Sequence, residues 1–258
     1  MEVRTTVTLP FDILLYITDL LAGENDEGIK SLRFLSQACK SMVPLCRKHI
    51  FSSLRLNNEL SSRFSDLLSK NPDIARYVRS LNYRAWKPIS DHVLHILDVL
   101  KERSSLQSIV LSTPGLSWND FPESIRSSLV SLIELPTVVN LNIDGFDWFP
   151  ATALSGCSNL NDLELKELEL APPEVNYVIL RNKIPTPTSL YIKKKAYSFA
   201  ALLNSASLHA GGPIVDFSRL KRVLFEVECR GDIDQVNELI KVSTQLEYFY
   251  MSTCICGE

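Results

Sequence analysis

Val138-Val139-Asn140-Leu141-Asn142-Ile143 and Leu160-Asn161-Asp162-Leu163-Glu164-Leu165 are two copies of one pattern, apolar-x-x-apolar-x-apolar. The second half of each copy alternates apolar and polar, which is the mark of a strand with one buried face. Working outward, further copies begin upstream at Phe51, Val78 and Leu106. Downstream they begin at Pro187, Leu220 and Leu246. Successive starts are 22 to 33 residues apart, with a mean of about 28. Repetition at such a period predicts supersecondary units that stack to complete one another's core.

Most of the intervals carry a helical period. Asp91–Arg103 places Val93, Ile96, Leu97 and Leu100 on one face, and Pro122–Leu135 does so with Ile125, Leu129 and Leu132. Ala196–His209 and Asp232–Thr244 are further helices, the latter with Val236, Leu239 and Ile240 in register. Segment 171–187 holds Pro172, Pro173, Pro185 and Pro187 and is expected to be loop. A strand followed by a helix at this spacing resembles an irregular leucine-rich repeat. The Asn or Cys usual after the motif is replaced by Ser112-Thr113-Pro114 and Asp144-Gly145-Phe146. The fold class expected is α/β, with residues 53–258 a curved solenoid of parallel strands inside and helices outside.

The chain has 258 residues, 45% hydrophobic and 22% charged, with a net charge of −3. That balance excludes wholesale disorder and offers no basic footprint for nucleic acid. No apolar run is long enough to span a bilayer, and the opening Met1–Thr6 lacks a secretory pattern. A soluble protein of the cytoplasm or nucleus is expected, without a membrane partner. The six cysteines are scattered, apart from Cys254 and Cys256, so no disulfide scaffold is expected, and Cys39, Cys46, Cys157 and Cys229 are expected to be small buried side chains.

The first fifty residues differ in kind. Leu9–Leu21 reads as a helix with Pro10 in its first turn and Thr8 as a possible cap. Gly23–Gly28 breaks it, a second helix runs to about Lys40, and Pro44 opens a third. Helix one is apolar on too many sides: Ile13, Ile17, Leu20 and Leu21 form one stripe, while Phe11, Leu14 and Leu15 point elsewhere. So small a bundle has little interior, so the surplus must meet the repeats or another protein.

The segments Leu9-Pro10-x-Asp12-Ile13-Leu14-x-x-Ile17, Ser31-Leu32-x-x-Leu35-Ser36-x-Ala38-Cys39-Lys40 and Leu45–Phe51 resemble an F-box over residues 7–52, within an expected helical bundle of residues 1–52. Cys39–Leu56 and Asn71–Val78 are similar to F-box proteins of mushroom-forming fungi. The Trp-Arg pair of many relatives is missing. The resemblance implies docking on the Skp adaptor of a cullin-RING (SCF) ubiquitin ligase, with the repeats holding a client protein. It implies adaptor contacts at Leu9, Pro10, Ile13, Leu14, Ile17, Leu35, Cys39, Lys40 and Leu45. The alternative is a repeat scaffold for which the bundle is a structural cap.

Nothing in the chain resembles a catalytic motif: there is no phosphate-cradling Gly-rich loop and no Gly-x-Ser-x-Gly elbow. A non-enzymatic protein without cofactor or metal is expected. Asp91, His92, His95 and Asp98 share a helix, and their plainer reading is a polar face. Lys193-Lys194-Lys195 reads as a solvated loop after a strand. By alternation, the intervening residues of each hexad point away from the core. Among these, Asn142, Glu164, Tyr191, Arg222, Tyr248 and Tyr250 are the client-binding candidates, since exposed Tyr and Arg are common anchors. The last strand is followed by no helical pattern, so its apolar edge is expected to be open.

Overall fold

The computed structural model describes residues 9–23, 26–86, 89–171, 184–193, 200–203, 213–227 and 230–253. Three helices come first: α1 (Phe11–Gly23), α2 (Asp26–Ala38) and α3 (Met42–Ile50). Then follow β1 (Ser53–Leu56), α4 (Asn58–Lys70), β2 (Ser80–Arg84), α5 (Asp91–Arg103), β3 (Ser108–Ser117) and α6 (Glu123–Ile133). Next are β4 (Asn140–Asp147), β5 (Phe149–Pro150), β6 (Asp162–Lys166), β7 (Leu170–Ala171) and β8 (Ser189–Lys193). The chain closes with α7 (Ala200–Leu203), β9 (Arg222–Val227), α8 (Arg230–Val242) and β10 (Tyr248–Thr253).

The fold is α/β. All eight hexads become strands of one eight-stranded parallel sheet, in the order β1-β2-β3-β4-β6-β8-β9-β10. The register is unbroken where the hexads align: Ser53, Ser80, Ser108, Asn140, Asp162, Ser189, Arg222 and Tyr248 sit side by side. Each is the third residue of its hexad. The second residue has its own task. The carbonyls of Ser52, Arg79, Gln107, Val139, Asn161, Thr188 and Lys221 each accept two successive backbone N–H groups of the next unit, at 2.7–3.1 Å. This satisfies the backbone where the chain enters a strand, so the entry can be buried without orphaned donors.

The fourth and sixth residues of the hexads form two apolar rows. One runs Leu81, Ile109, Leu141, Leu163, Leu190 and Val223; the other runs Tyr83, Leu111, Ile143, Leu165, Ile192 and Phe225. All are buried. Helices pack on this face only: Leu68, Val93, Ile96, Leu97, Leu100, Ile125, Leu129, Leu132, Val236 and Leu239 join the strands in one core. Asn57 caps α4 by accepting from the Leu60 N–H at 2.9 Å, and Ser90 caps α5. Tyr83 brings a hydroxyl into the core that has no partner among the described residues, and burial pushes its pKa up to about 12.

Several local expectations change. Helix α4 carries an interval for which no helix was foreseen. The interval between β4 and β6 has only a 3₁₀ turn, Ala151–Leu154. Strand β3 continues past its hexad, and its register with β4 shifts between Ser112 and Leu116. Beyond the shift Trp118, Phe121, Phe146 and Phe149 stack with ring centroids 4.9–6.0 Å apart. Ile240 is exposed, although Val236 and Leu239 are buried. Phe249 and Met251 lie in the two apolar rows yet are exposed, because no described element packs beyond β10. Thr8, Lys194, Lys195, Cys229, Cys254 and Cys256 lie outside the described residues, as does most of 171–187 and of Ala196–His209. Cys39, Cys46 and Cys157 are free thiols; Cys46 and Cys157 are buried as expected, whereas Cys39 is exposed because it lies in the turn between α2 and α3. Among the described residues no helix is long and apolar enough to cross a membrane.

The N-terminal helices form a bundle with its own small core of Leu32, Met42, Leu45 and Cys46. Leu14, Leu15, Leu21, Ala22, Ile29, Leu35 and Ile50 pack around it. The bundle meets the rest of the chain where α3 packs on the turn Pro72–Tyr77 and runs into β1.

Two substitutions test this packing. Tyr83→Phe deletes an unsatisfied buried hydroxyl and is expected to stabilise the fold by about 1 kcal/mol in urea denaturation. An unfolded tyrosine ionises near pH 10, whereas Tyr83 stays protonated to about 12. Its stabilising share is therefore complete below pH 10 and lost on the way to 12. The advantage of the variant should grow there by up to about 1.4 kcal/mol per pH unit. Gly145 has φ +75°, and an added Cβ would lie 2.1 Å from the Thr113 carbonyl oxygen. Gly145→Ala is expected to cost about 3 kcal/mol or more, read as a lower urea midpoint.

Candidate functional site

The face of the sheet opposite the helices is built by the third, fifth and following residues of each hexad. Three rows cross it. The first holds Asn140, Asp162, Ser189, Arg222 and Tyr248; the second holds Arg55, Asn82, Val110, Asn142, Glu164, Tyr191, Leu224 and Tyr250. The third holds Arg84, Ser112, Asp144, Lys166, Lys193, Glu226 and Ser252. All six client-binding candidates thus share one face, in two adjacent rows.

Their surroundings differ. In the middle of the face the side chains are linked to one another, although the Asn142 Oδ1 has no partner among the described residues. Glu164 accepts from the Asn142 amide and pairs with Lys166 at 2.7 Å. The Lys166 ammonium lies 5.4 Å from the Tyr191 ring centroid. The Tyr191 hydroxyl donates to Glu226 at 2.6 Å, and Lys193 stands 3.8 Å from the other Glu226 oxygen. Desolvation, and then the Glu226 carboxylate that accepts this proton, push the Tyr191 pKa up to about 12. Burial and the Glu167 charge raise the Asp144 carboxyl above its ordinary value. Arg222 is loosely held, 3.8 Å from Asp162.

Toward β10 the character changes. Tyr248 and Tyr250 are 51% and 50% exposed, and neither hydroxyl has a hydrogen-bond partner among the described residues. Asn142, Glu164 and Tyr191 are therefore parts of one network, while Tyr248 and Tyr250, on the strand next to Arg222, are half-exposed. The choice of candidates left out Lys166, Lys193 and Glu226. Charge at the outward strand positions was visible, but their mutual reach depended on which strands are neighbours.

The second surface is on the bundle. Leu14, Leu15 and Leu21 turn inward, while Leu9, Ile13, Tyr16 and Leu20 form one exposed apolar strip at helical spacing. Phe11 and Phe34 are exposed as well. Of the other adaptor candidates, Pro10 and Lys40 are exposed and Ile17 is half-buried. Leu14 and Leu35 pack against the bundle core, and Leu45 lies inside it, so these three support the bundle rather than present a surface. Cys39 is exposed, and the Ser41 hydroxyl 2.9 Å away holds its thiol below the ordinary value. Tyr16, Leu20 and Phe34 were not among the candidates.

No group of three or more His, Cys, Asp or Glu suited to a metal occurs among the described residues. On α5, His95 is bound to Ser69 at 3.2 Å, and Asp98 accepts from Ser128 at 2.9 Å. These polar residues join α4, α5 and α6. No protein-family model matches the chain, and neither a curated protein nor a solved structure matches it.

The polar network has a spectroscopic signature. Tyr83 and Tyr191 are both pushed up to about 12. An alkaline absorbance titration of the folded protein should show both of them ionising late. Tyr191→Phe should remove one of them with little loss of stability, because its hydroxyl is near the surface.

Proposed function

We propose that this protein is the non-enzymatic substrate receptor of an SCF-type ubiquitin ligase. The N-terminal bundle acts as an F-box that docks on the Skp adaptor, and the strand–helix units form a leucine-rich-repeat solenoid that holds the client. The observation that carries this reading is the strip Leu9, Ile13, Tyr16 and Leu20. The bundle has a core of its own, and these side chains do not belong to it. A contiguous apolar strip left in water is what a partner interface needs at its centre. The client side rests on Tyr248, Tyr250 and Arg222 at one end of the polar face. The mechanism is proximity: a client held on the repeats is presented at high effective concentration to the ligase that the bundle recruits.

A second reading is supported by the packing of α3 on Pro72–Tyr77 and its direct passage into β1. Here the bundle is a cap for the edge of the repeats and recruits nothing. Calorimetric titration with purified Skp adaptor separates the two. Micromolar or tighter binding, weakened at least tenfold by Ile13→Ala with Leu20→Ala, is expected of the receptor. Absence of binding by the well-folded chain would leave the capped scaffold.

A further inference from the structure

We infer that the junction between bundle and sheet is a binding site for an organic phosphate monoester. This holds whether or not the bundle recruits a ligase. A pocket of about 370 Å³ opens there, lined by Ile29 and Arg33 of α2, His49 and Ile50 of α3, and Ser52, Ser53 and Arg55 at the start of β1. Among the described residues its lining contains two arginines and no carboxylate.

Among the described residues the arginines are unpaired, for reasons that the local sequence explains. On α2 the neighbours of Arg33 at three and four residues are Ile29, Lys30, Ser36 and Gln37, none of them acidic. On β1, Arg55 lies opposite Asn82, with Ser53 on the same face. Neither guanidinium has an ion-pair partner among the described residues. The nearby carboxylate of Asp19 lies 2.8 Å from His49 Nε2 and 3.7 Å from Lys48, and pairs with neither arginine.

Other pockets of the same molecule show the contrast. One of about 360 Å³ beside α6 also contains an arginine, but Arg126 is held there by Glu123 and by Asn119 at 3.1 Å. Another, of about 150 Å³, is lined chiefly by Leu202, Leu203, Val215, Phe217 and Val242 and contains no cation. In a chain of net charge −3, two uncompensated guanidinia at one cavity mark a place prepared for an anion.

The chemistry narrows the anion. Each guanidinium offers a planar fork that grips two oxygens, and two forks supply the charge that a phosphate dianion needs. Ser53 is exposed, and its hydroxyl has no partner among the described residues, so it can add a donor. A single carboxylate would satisfy one fork only. Ile29 and Ile50 line the same cavity and give the substituent of the phosphate an apolar wall. The ligand is thus a phosphate ester rather than the bare ion. It is supplied either by a small molecule or by a phosphorylated side chain of a bound polypeptide lying along the sheet face, which Ser53 and Arg55 continue.

The test is a titration of the full chain, followed by calorimetry at fixed ionic strength, with phenyl phosphate, inorganic phosphate and a capped phosphoserine tripeptide. Saturable binding of the esters at least tenfold tighter than inorganic phosphate is expected. Arg33→Gln with Arg55→Gln should weaken it at least tenfold, and Arg126→Gln should leave it unchanged. Both pocket arginines are exposed, so an unaltered melting temperature verifies that the double variant is folded. Tighter binding of the tripeptide than of phenyl phosphate would assign the site to a phosphorylated polypeptide, and the reverse to a small phosphate. No saturable binding of either ester at millimolar concentration would overturn the inference, as would binding that the double variant retains.

Discussion

Each unit of this protein enters its strand through one carbonyl that accepts two N–H groups from the next unit, and this junction recurs at all seven steps between neighbouring strands. It locks the third residue of every hexad beside the third residue of the next. Once that register is set, side-chain alternation places the fourth and sixth residues of all hexads on one face. No single strand, of four to ten residues, could bury its apolar side alone. Eight in strict register make a continuous apolar surface, and the helices cover it. A slip of one residue at any junction would turn that strand's apolar residues into water, which is why the register is strongly specified.

The same constraint creates the polar face. Residues that are unrelated in sequence become neighbours because they occupy the same hexad position in adjacent units. Glu164 meets Asn142 and Tyr191 in this way, and Lys166 meets Lys193 and Glu226 beyond it. The centre of the face is consequently a linked set of charge pairs and hydrogen bonds. At its ends, Arg55 at one edge and Tyr248 with Tyr250 at the other have no side-chain partner among the described residues, since an edge strand has a neighbour on one side only.

Much of this was legible in the residues. The hexads marked the strands because strict alternation is a local property. Asp91–Arg103 marked its helix because Val93, Ile96, Leu97 and Leu100 repeat at the helical period and Ser90 precedes as a cap. Helix α4 was harder to see, since its buried positions include Ser61 and Ser65, which break the apolar period. The aromatic cluster of Trp118, Phe121, Phe146 and Phe149 was hidden for another reason. Its members come from two successive units and meet only after the register shift beyond Ser112.

By itself the sequence determined the strand–helix alternation, the face of each strand that is buried, and the surplus of apolar residues on the first helix, because these depend on spacing along the chain. Tertiary structure alone decided how the surplus divides. Leu45 went into the bundle core, whereas Ile13, Tyr16 and Leu20 stayed outside it, because the directions of α2 and α3 set which side of α1 is covered. It also decided which charges are spent. Glu164, Lys166 and Glu226 neutralise their neighbours, while Arg33 and Arg55 converge on one cavity without an acid. Charge compensation depends on distances between units, and those are fixed only when the sheet is assembled.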